Sequence, residues 1–541
     1  IEEATGQNLG WFFDQWIFRM GHPELEVGYS YDDSAHKLKL TVKQNQKAPE
    51  KSVYQSVDVF RLPLEIGITT SAGEKLEKIE VNKAEQSFTF DVSEKPLIVN
   101  FDRGNTIIKT LKFPKTVEEL AYQARNDKDA MGRIWAINEL KGKKDSEVAA
   151  SALGAVLASD SFWAARSEAA EALSGFDAKL SKTFLMAAAK DKKSAVRREA
   201  LKGLARHKDA SLAPLLTEII RTDSSYYAIG EAAKALGNGG GAGAYETLSS
   251  LLEMKSDKDV VRSSALAGLA NLGDKRGLDV ALKYCAAPFP ETVRAAGLQA
   301  LGLSTWKETQ DLLTTSLGNK QPRELQVAAL SVLGEMSDPE IGTVLVDSWS
   351  GFSPAVRSNA AGILFSRGPW LVRFLKAVEE GRIPATDIEP ARLKLLESHR
   401  DAEVKALASK LAAKLKVGRR QDVLVQYQPA LTLKGDAEKG AALFKKVCSG
   451  CHKVGDVGYE IGPNLISFKQ KGADAILLNV IDPNREVNPQ FVNYICETDD
   501  GRTLTGMIAG ETAASVILKR AENATDTILR SQIEVLKSTG L

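Results

Sequence analysis

Cysteine and histidine are scarce in this chain, which has 541 residues but only four cysteines and five histidines. Four cysteines are too few for a disulfide-stabilised scaffold of this length. The histidines include no pair at the spacing of the H-E-x-x-H motif, in which two imidazoles bind Zn²⁺ and the glutamate acts as the general base. The sequence therefore excludes peptide hydrolysis by that mechanism for these residues.

Long apolar runs and an excess of charge of one sign are also absent. No apolar stretch approaches the ~18 residues that a membrane-spanning helix needs. The 71 lysines and arginines nearly balance the 70 aspartates and glutamates, and the formal net charge is +1. We therefore expect neither a transmembrane segment nor nucleic acid as a partner. A chain of this length is expected to contain several domains.

One short motif indicates a cofactor. Cys448, Cys451 and His452 form the pattern C-x-x-C-H. Two thiols three positions apart can each add to a vinyl group of haem, and the histidine that follows then lies beneath the iron as an axial ligand. Redox dithiols and zinc sites also contain C-x-x-C. A zinc site needs a second pair of ligands, whereas the remaining cysteines, Cys285 and Cys496, are single and far apart.

The residues on both sides of the motif favour covalent haem c. Residues 435–447 read as a short amphipathic helix and not as the strand that precedes a thioredoxin-like dithiol. Gly462, Pro463 and Leu465 form a G-P-x-L segment shortly after the histidine. In c-type cytochromes the proline carbonyl of such a segment accepts a hydrogen bond from the imidazole Nδ1 and fixes the ring. We therefore predict that Pro463 orients the axial histidine.

The periodicity of apolar residues divides the chain before the motif. Residues 1–24 are largely helical and rich in aromatic side chains. Residues 25–114 alternate apolar and polar side chains at hairpin spacing, with turn signals between the runs, which predicts a small β-sandwich. Residues 417–434 change composition and contain a proline, which favours a linker.

A repeat of 31 to 33 residues covers residues 115–416. Each unit contains a residue pair, usually Val-Arg, followed by an alanine-rich helix, so that the unit is two helices and resembles a HEAT-like repeat. The repeated arginines are Arg133, Arg166, Arg197, Arg262, Arg294 and Arg357. Ile229 and Gln326 occupy the same place in two further units, which gives about eight in all. We expect the arginines to bond loop carbonyls or acids between units and assign none of them to catalysis.

Two stretches near the start carry a further resemblance. They read T-G-Q-N-L-G-W-F-F-D-Q-W from Thr5 and G-H-P-E-L-E-V-G-Y-S-Y-D from Gly21. Residues 1–113 thereby resemble aminopeptidase N-like gluzincins, where the end of the catalytic domain leads into a β-sandwich. The resemblance implies that residues 1–24 are the C-terminal helix of a peptidase-like domain missing from this chain. Zinc is then expected only in that missing domain, and whether the parent is a zinc metallopeptidase stays open.

Residues 435–541 resemble a bacterial haem-binding, cytochrome c-like domain. After the C-x-x-C-H and G-P-x-L segments come an apolar helix that ends at Asp482-Pro483 and β-type segments around Asp500-Gly501. The fold class is therefore multidomain. A small β-sandwich is followed by an all-α HEAT-like solenoid and then by a cytochrome c-like α domain with a β-meander insertion.

The second axial ligand of the iron is less well specified. In the resembling family it is a methionine in an M-P-x-G-L segment, and this sequence reaches Leu541 about where that segment begins. Met507 is the only methionine after His452 and is a candidate distal ligand, although its strand context favours a core position. The alternative is a domain truncated at its C-terminus, with iron that is five-coordinate, water-bound or misligated. Cys496 is predicted to be a buried strand thiol.

Three functions remain open at this stage. The first is a haem c electron-transfer module carried on a HEAT-repeat scaffold. The second is the non-catalytic C-terminal half of a zinc aminopeptidase-like protein. The third is a protein-binding scaffold with a structural or sensory haem. Haem c attachment predicts a periplasmic or other extracytoplasmic location, with a signal peptide in a missing N-terminus.

The sequence says little about partners. The redox partner is unidentified, and the near balance of charge in the haem domain predicts no strong electrostatic steering. A peptide or protein is expected on the concave face of the solenoid. No aromatic or charged stripe stands out in the linear sequence to name its contacts.

Overall fold

A computed structural model describes residues 2–6, 8–47, 55–303, 305–388, 390–417, 421–483, 491–520 and 524–539. The chain divides into two units, Ile1–Ser250 and Leu251–Leu541. None of the described helices has both the length and the apolar character needed to cross a lipid bilayer.

The first unit begins with short helical segments that are joined to a β-sandwich. The helices are α1 (Glu2–Thr5) and α2 (Gly10–Phe13), and a π-helical turn, Asp14–Phe18, follows them. The buried Gln15 carboxamide donates to the Arg61 carbonyl oxygen at 3.0 Å and accepts from the Arg61 amide at 2.9 Å. The aromatic N-terminal segment is thus fixed to the sandwich by hydrogen bonds between the Gln15 side chain and the Arg61 backbone.

The predicted β-sandwich is confirmed. Its strands are β1 (Glu24–Asp32), β2 (Lys37–Gln44), β3 (Leu62–Thr70), β4 (Gly73–Val81), β5 (Glu85–Asp91), β6 (Ile98–Phe101) and β7 (Thr110–Lys112). One sheet has the order β5-β2-β1-β7 and the other the order β4-β3-β6. Alternate residues of β2, namely Leu38, Leu40 and Val42, are fully buried and join side chains of both sheets in one core. The period of two in the sequence therefore marked the core face correctly.

The rest of the first unit consists of helix pairs. The helices are α3 (Val117–Asn126), α4 (Ala130–Leu140), α5 (Glu147–Ser159), α6 (Trp163–Leu173), α7 (Ala178–Ala188), α8 (Ser194–Arg206), α9 (Ala213–Thr222), α10 (Tyr226–Gly239) and α11 (Ala244–Ser250). The pairs are α3/α4, α5/α6, α7/α8 and α9/α10, and their second helices contact one another in order. Each pair buries its apolar face against the next, as in HEAT-like repeats.

Three of the repeated arginines, Arg133, Arg166 and Arg197, connect successive pairs, as their predicted structural role requires. Arg166, the fourth residue of α6, donates from Nη1 to the Asp160 carbonyl oxygen at 2.7 Å. Its Nε and Nη2 donate to the Asp191 carboxylate of the next loop at 2.7 and 3.0 Å. Arg133 bonds Asp160 in the same way. The pairs Arg133–Asp160, Arg166–Asp191 and Arg197–Asp223 join successive loops. We call these three pairs the arginine ladder.

The second unit continues the helical pattern. Its helices before the haem motif are α12 (Val260–Leu272), α13 (Lys275–Tyr284), α14 (Glu291–Ala300), α15 (Trp306–Ser316), α16 (Arg323–Glu335), α17 (Glu340–Ser348), α18 (Pro354–Ser366), α19 (Gly368–Glu379), α20 (Pro390–Leu396), α21 (Ala402–Val417) and α22 (Gln421–Tyr427). Gln326 occupies the arginine position of α16 and donates to the Gly318 carbonyl oxygen at 2.9 Å. The glutamine thus makes the same kind of hydrogen bond to a loop carbonyl oxygen as the arginines do, but it cannot form their ion pair.

The described residues in the C-terminal part of the second unit form two α-helices and two sheets. These are α23 (Ala437–Val447), β8 (Lys453–Val454), β9 (Val457–Gly458), α24 (Ala473–Ile481), β10 (Asn493–Thr498), β11 (Thr503–Glu511), β12 (Ser515–Lys519), β13 (Thr525–Leu529) and β14 (Ile533–Ser538). The strands β10 to β14 form an antiparallel sheet of order β13-β12-β11-β10-β14. Cys496 is fully buried in its core, as predicted, and burial raises the pKa of its thiol.

This five-stranded sheet packs on the helical repeats of the same unit. The Tyr494 hydroxyl donates to the Phe352 carbonyl oxygen at 2.9 Å. The Arg530 guanidinium donates to the Asn319 carbonyl oxygen at 3.2 Å. Arg357, one of the repeated arginines, lies over the Tyr494 ring at 5.5 Å from its centroid. The sheet is therefore held against the loops that connect the repeats.

Candidate haem-binding site

The helix α23 leads directly into the cysteine motif. The Asp436 side chain caps the N-terminus of α23. The Cys448 amide makes the last hydrogen bond of the helix, to the Phe444 carbonyl oxygen at 2.8 Å. The amides of Cys451 and His452 then both donate to the Cys448 carbonyl oxygen, at 3.1 and 2.9 Å. This tight turn determines the relative positions of the two thiols and the imidazole.

The His452 ring is oriented by the G-P-x-L segment. Its Nδ1 lies 3.0 Å from the Pro463 carbonyl oxygen. A carbonyl oxygen only accepts hydrogen bonds, so Nδ1 carries the proton and Nε2 keeps its lone pair. Among the described residues, no side chain or backbone group bonds Nε2. The imidazole is therefore in the tautomer that a metal ligand requires.

Two glycines allow the loop after the motif to fold back against it. The Ile461 and Gly462 amides donate to the Cys451 carbonyl oxygen at 2.9 and 2.7 Å. A side chain at Gly462 would collide with the His452 ring, and one at Gly458 would collide with the His452 carbonyl oxygen. Gly458 also has a φ of +95°, which favours glycine. Sequence reasoning did not identify the role of Gly458.

The apolar side chains near the motif fit a large planar apolar group. No described residue of α23 or α24 is buried. Among their apolar side chains, the exposed fractions are 62% for Leu443, 68% for Val447 and 70% for Val480. Each of the two helices thus has apolar side chains that are free to cover an apolar group. The Cys448 and Cys451 thiols are not bridged to each other or to another cysteine. The residues present therefore fit a porphyrin joined through these two thiols.

Met507 lies on the sheet beside this region. Its neighbours Leu504 and Ile508 in β11 pack on the sheet core, so the alternation of the strand places Met507 on the opposite face, where it is half-buried. Its cross-strand partner Lys519 donates to the Glu460 carbonyl oxygen at 2.7 Å, within the loop that follows the histidine. The expectation that Met507 is a core residue is wrong.

The role of Met507 as a distal ligand stays a prediction. Leu541, where the predicted truncation falls, lies outside the described residues. Among the residues that the structure describes, no group of three or more His, Cys, Asp or Glu side chains is arranged to hold a bare metal ion. The prediction of zinc concerned a domain outside this chain and stays a prediction.

Family models match three regions of the chain. Residues 117–205, 150–237 and 213–302 match HEAT repeats. Residues 21–106 match a domain of unknown function, DUF3458, with an Ig-like fold. Residues 437–509 match cytochrome c. The HEAT repeats, the β-sandwich and the cytochrome c-like domain expected from the sequence are thus confirmed.

Two solved structures resemble the chain more distantly. Aminopeptidase A of Legionella pneumophila is 15% identical with a TM-score of 0.35, and the match covers 76% of this chain and 51% of that one. The chain thus spans about half the length of that protein. The complex of CpcE and CpcF of phycocyanin lyase from Nostoc sp. is 19% identical with a TM-score of 0.32, and the match covers 43% of this chain and 94% of that one.

A curated relative identifies the C-terminal region. A cytochrome c-553-like protein of Synechocystis sp. is 39% identical over 76 residues, which is 12% of this chain and 71% of that protein. The matched family model, residues 437–509, contains the C-x-x-C-H motif and the segment that orients its histidine. This region is a haem-binding module, and through it the chain belongs to the cytochrome c family.

Proposed function

We propose that residues 435–541 bind haem c covalently and transfer single electrons, carried on the HEAT-repeat scaffold. The observation that supports this most strongly is the arrangement of His452, with Nδ1 bonded to the Pro463 carbonyl oxygen beside two unbridged thiols. Zinc sites and redox dithiols do not need a histidine held in this tautomer directly after the second cysteine. Covalent haem needs all three side chains in this order.

Each protein group has a defined part in this function. Haem c, when bound, supplies a one-electron couple between ferric and ferrous iron. The Cys448 and Cys451 thiols would hold the haem through two thioether bonds, each formed by adding sulfur to one vinyl carbon and hydrogen to the other. His452 would bind the iron through Nε2, and the Pro463 carbonyl oxygen, which accepts from Nδ1, would fix the orientation of the ring. The exposed apolar residues of α23 and α24 would shield the porphyrin from water.

The location proposed for this function is the periplasm or another extracytoplasmic compartment. The two motif cysteines must stay reduced until haem is added, and haem c is attached outside the cytoplasm. The similarity to a cytochrome c-553-like protein supports this location.

Intact-mass measurement tests the covalent attachment. The chain is produced together with a cytochrome c maturation system, beside the variants Cys448→Ala/Cys451→Ala and, as a matched control, Cys496→Ala, whose thiol is buried in the sheet. We expect the mass of one haem on the parent chain and on the control, and none on the double variant. Haem that is absent from the parent, or equally present on the double variant, would falsify the proposal.

A second function, as the supporting half of a zinc aminopeptidase-like protein, is favoured by one observation. The Ig-like match over residues 21–106 coincides with the sandwich that resembles gluzincins. In this role residues 1–541 supply no peptidase activity of their own, because they contain no H-E-x-x-H motif. Peptidase assays on the parent protein and on this chain decide the question. Activity in the parent alone supports this role, and activity in neither contradicts it.

A further inference from the structure

The second helices of the first four repeats begin in one row. The helices α4, α6, α8 and α10 contact one another in order. They begin at Ala130, Trp163, Ser194 and Tyr226. The arginine ladder joins the loops that precede these helices, since Arg166 and Arg197 each reach the aspartate of the next loop. Residues at the starts of these helices are therefore neighbours in space although 31 to 33 positions separate them in sequence.

Large apolar side chains are exposed along this row. We define the aromatic row as Met131, Phe162, Trp163, Tyr226 and Tyr227, with exposed fractions of 38, 39, 41, 40 and 46%. They come from α4, α6 and α10 or the residue before the helix, whereas α8, between α6 and α10, has the exposed Lys192 and Lys193 before it in place of a large apolar side chain. Clusters of exposed apolar side chains mark interaction sites. The linear sequence shows no such stripe, because these residues come near one another only when the repeats stack.

Cations fix two of the rings. Lys193 Nζ lies 5.2 Å from the centroid of the Trp163 ring, and the Arg198 guanidinium carbon lies 5.5 Å from that of Tyr227. Cation–π contacts of this kind hold an exposed ring in one orientation. The rings are therefore preorganised, which reduces the entropy lost when a partner binds.

The charge around the aromatic row is mixed at α4 and positive at α8. The loop before α4 contains Asp127 and Asp129, whose carboxylates accept from the Asn100 side chain and the Gly104 amide. The arginines of the ladder each form an ion pair with a loop aspartate, namely Asp160, Asp191 and Asp223. Lys128, Lys192 and Lys193 of the same loops are exposed. No ion pair involves these three lysines within the described part of the chain. The positive ends of four helix dipoles add to this charge.

We propose that the aromatic row docks an extended acidic segment of a partner protein, in which carboxylates alternate with apolar side chains. Adjacent helices lie about 9 Å apart, so the row is about 27 Å long and matches some eight or nine extended residues. Apolar side chains of the segment contact the rings, and its carboxylates pair with the lysines. Three unpaired lysines are few for a nucleic acid, which presents a phosphate at every nucleotide.

Fluorescence anisotropy with a synthetic peptide tests the proposal on the whole chain. The probe is a labelled peptide of alternating glutamate and phenylalanine, and its counterpart has lysine in place of each glutamate. The variants are Lys192→Glu/Lys193→Glu and Trp163→Ala. The matched control is Lys143→Glu/Lys144→Glu, which reverses two exposed lysines in the loop at the other end of α4.

The expected result is binding of the acidic peptide and not of its lysine counterpart. We expect each row variant to weaken binding about tenfold and the control to change it by less than about twofold. Far-UV circular dichroism checks that the variants stay folded. If the row variant and the control variant weaken peptide binding equally, the effect depends only on the net charge of the protein, and the proposal is overturned. No binding of the acidic peptide, or tighter binding of a single-stranded oligonucleotide, would also overturn it.

Discussion

His452 is held from two sides at the scale of single residues. The Pro463 carbonyl oxygen fixes Nδ1, and Gly462 lies so close to the ring that no side chain fits there. The ring position therefore depends on a backbone segment ten residues further along the chain. A substitution in that segment is expected to act on the iron through the imidazole.

Gly462→Ala tests this dependence. The added Cβ displaces the imidazole, so we expect less haem per protein and a ferric spectrum shifted toward high spin. Gly450→Ala is the matched control, since a Cβ at Gly450, inside the C-x-x-C-H motif, meets nothing within 4 Å. Haem content and optical spectra of both variants give the answer. Identical spectra for both would show that the Gly462 contact does not position the ring.

Met507 is the candidate for the sixth ligand of the iron. It lies on the sheet face that carries Lys519, whose amine bonds the loop after His452. If Met507 is the sixth ligand, Met507→Ala converts low-spin ferric iron to high-spin iron, whereas Met131→Ala, exposed in the first unit, changes nothing. An unchanged spectrum in Met507→Ala would assign the sixth position to another group.

At the scale of elements, the arginine ladder is expected to be sensitive to substitution. The side chains of Arg166 and Asp191 are only 4% and 11% exposed, so removing the arginine leaves a carboxylate without its partner in a largely buried place. We expect Arg166→Ala to lower the free energy of unfolding by about 3–5 kcal/mol. Lys190→Ala, which removes the exposed pair with Glu218, is expected to cost at most about 1 kcal/mol. Urea unfolding measures both, and equal effects would contradict a structural ladder.

The repeats also contain a pH-dependent contact. Burial, together with the charge of Lys182, holds the pKa of His207 below its ordinary value of 6.5. The unfolded chain then binds the proton more tightly, so His207 contributes stability above pH 6.5 that is lost as the pH falls below this value. We expect His207→Gln to weaken the decline of the urea midpoint between about pH 7 and 5. His36→Asn, at an exposed position, should leave the decline unchanged.

The elements differ in how well the sequence predicts them. Ile229 and Gln326 were correctly assigned to the helix position that arginine occupies in the other repeats. A fixed period locates this position even when its residue changes. The strands β13 and β14 were missed because each buries only one or two apolar residues, which are too few to define a period of two. Met507 was assigned to the wrong face because only pairing with neighbouring strands decides which side of an isolated strand is buried.

At the scale of the whole molecule, the order of domains was predictable and the surfaces were not. The β-sandwich, the HEAT repeats and the cytochrome c-like region each have a local pattern or motif in the sequence. The aromatic row has none, because its members come from three different repeats. The turn that joins Cys448 to His452 follows from the motif, whereas the exposure of Val447 and Val480 required the packed structure.

The optical spectrum of the whole chain, oxidised and then reduced with dithionite, tests the central proposal most directly. The protein is produced with a cytochrome c maturation system, and a pyridine haemochrome is recorded on the same sample. We predict a c-type haemochrome and a sharp α-band on reduction that disappears reversibly on reoxidation. A chain that carries no covalent haem, or a haem that does not change oxidation state reversibly, would contradict the assignment of residues 435–541 to electron transfer.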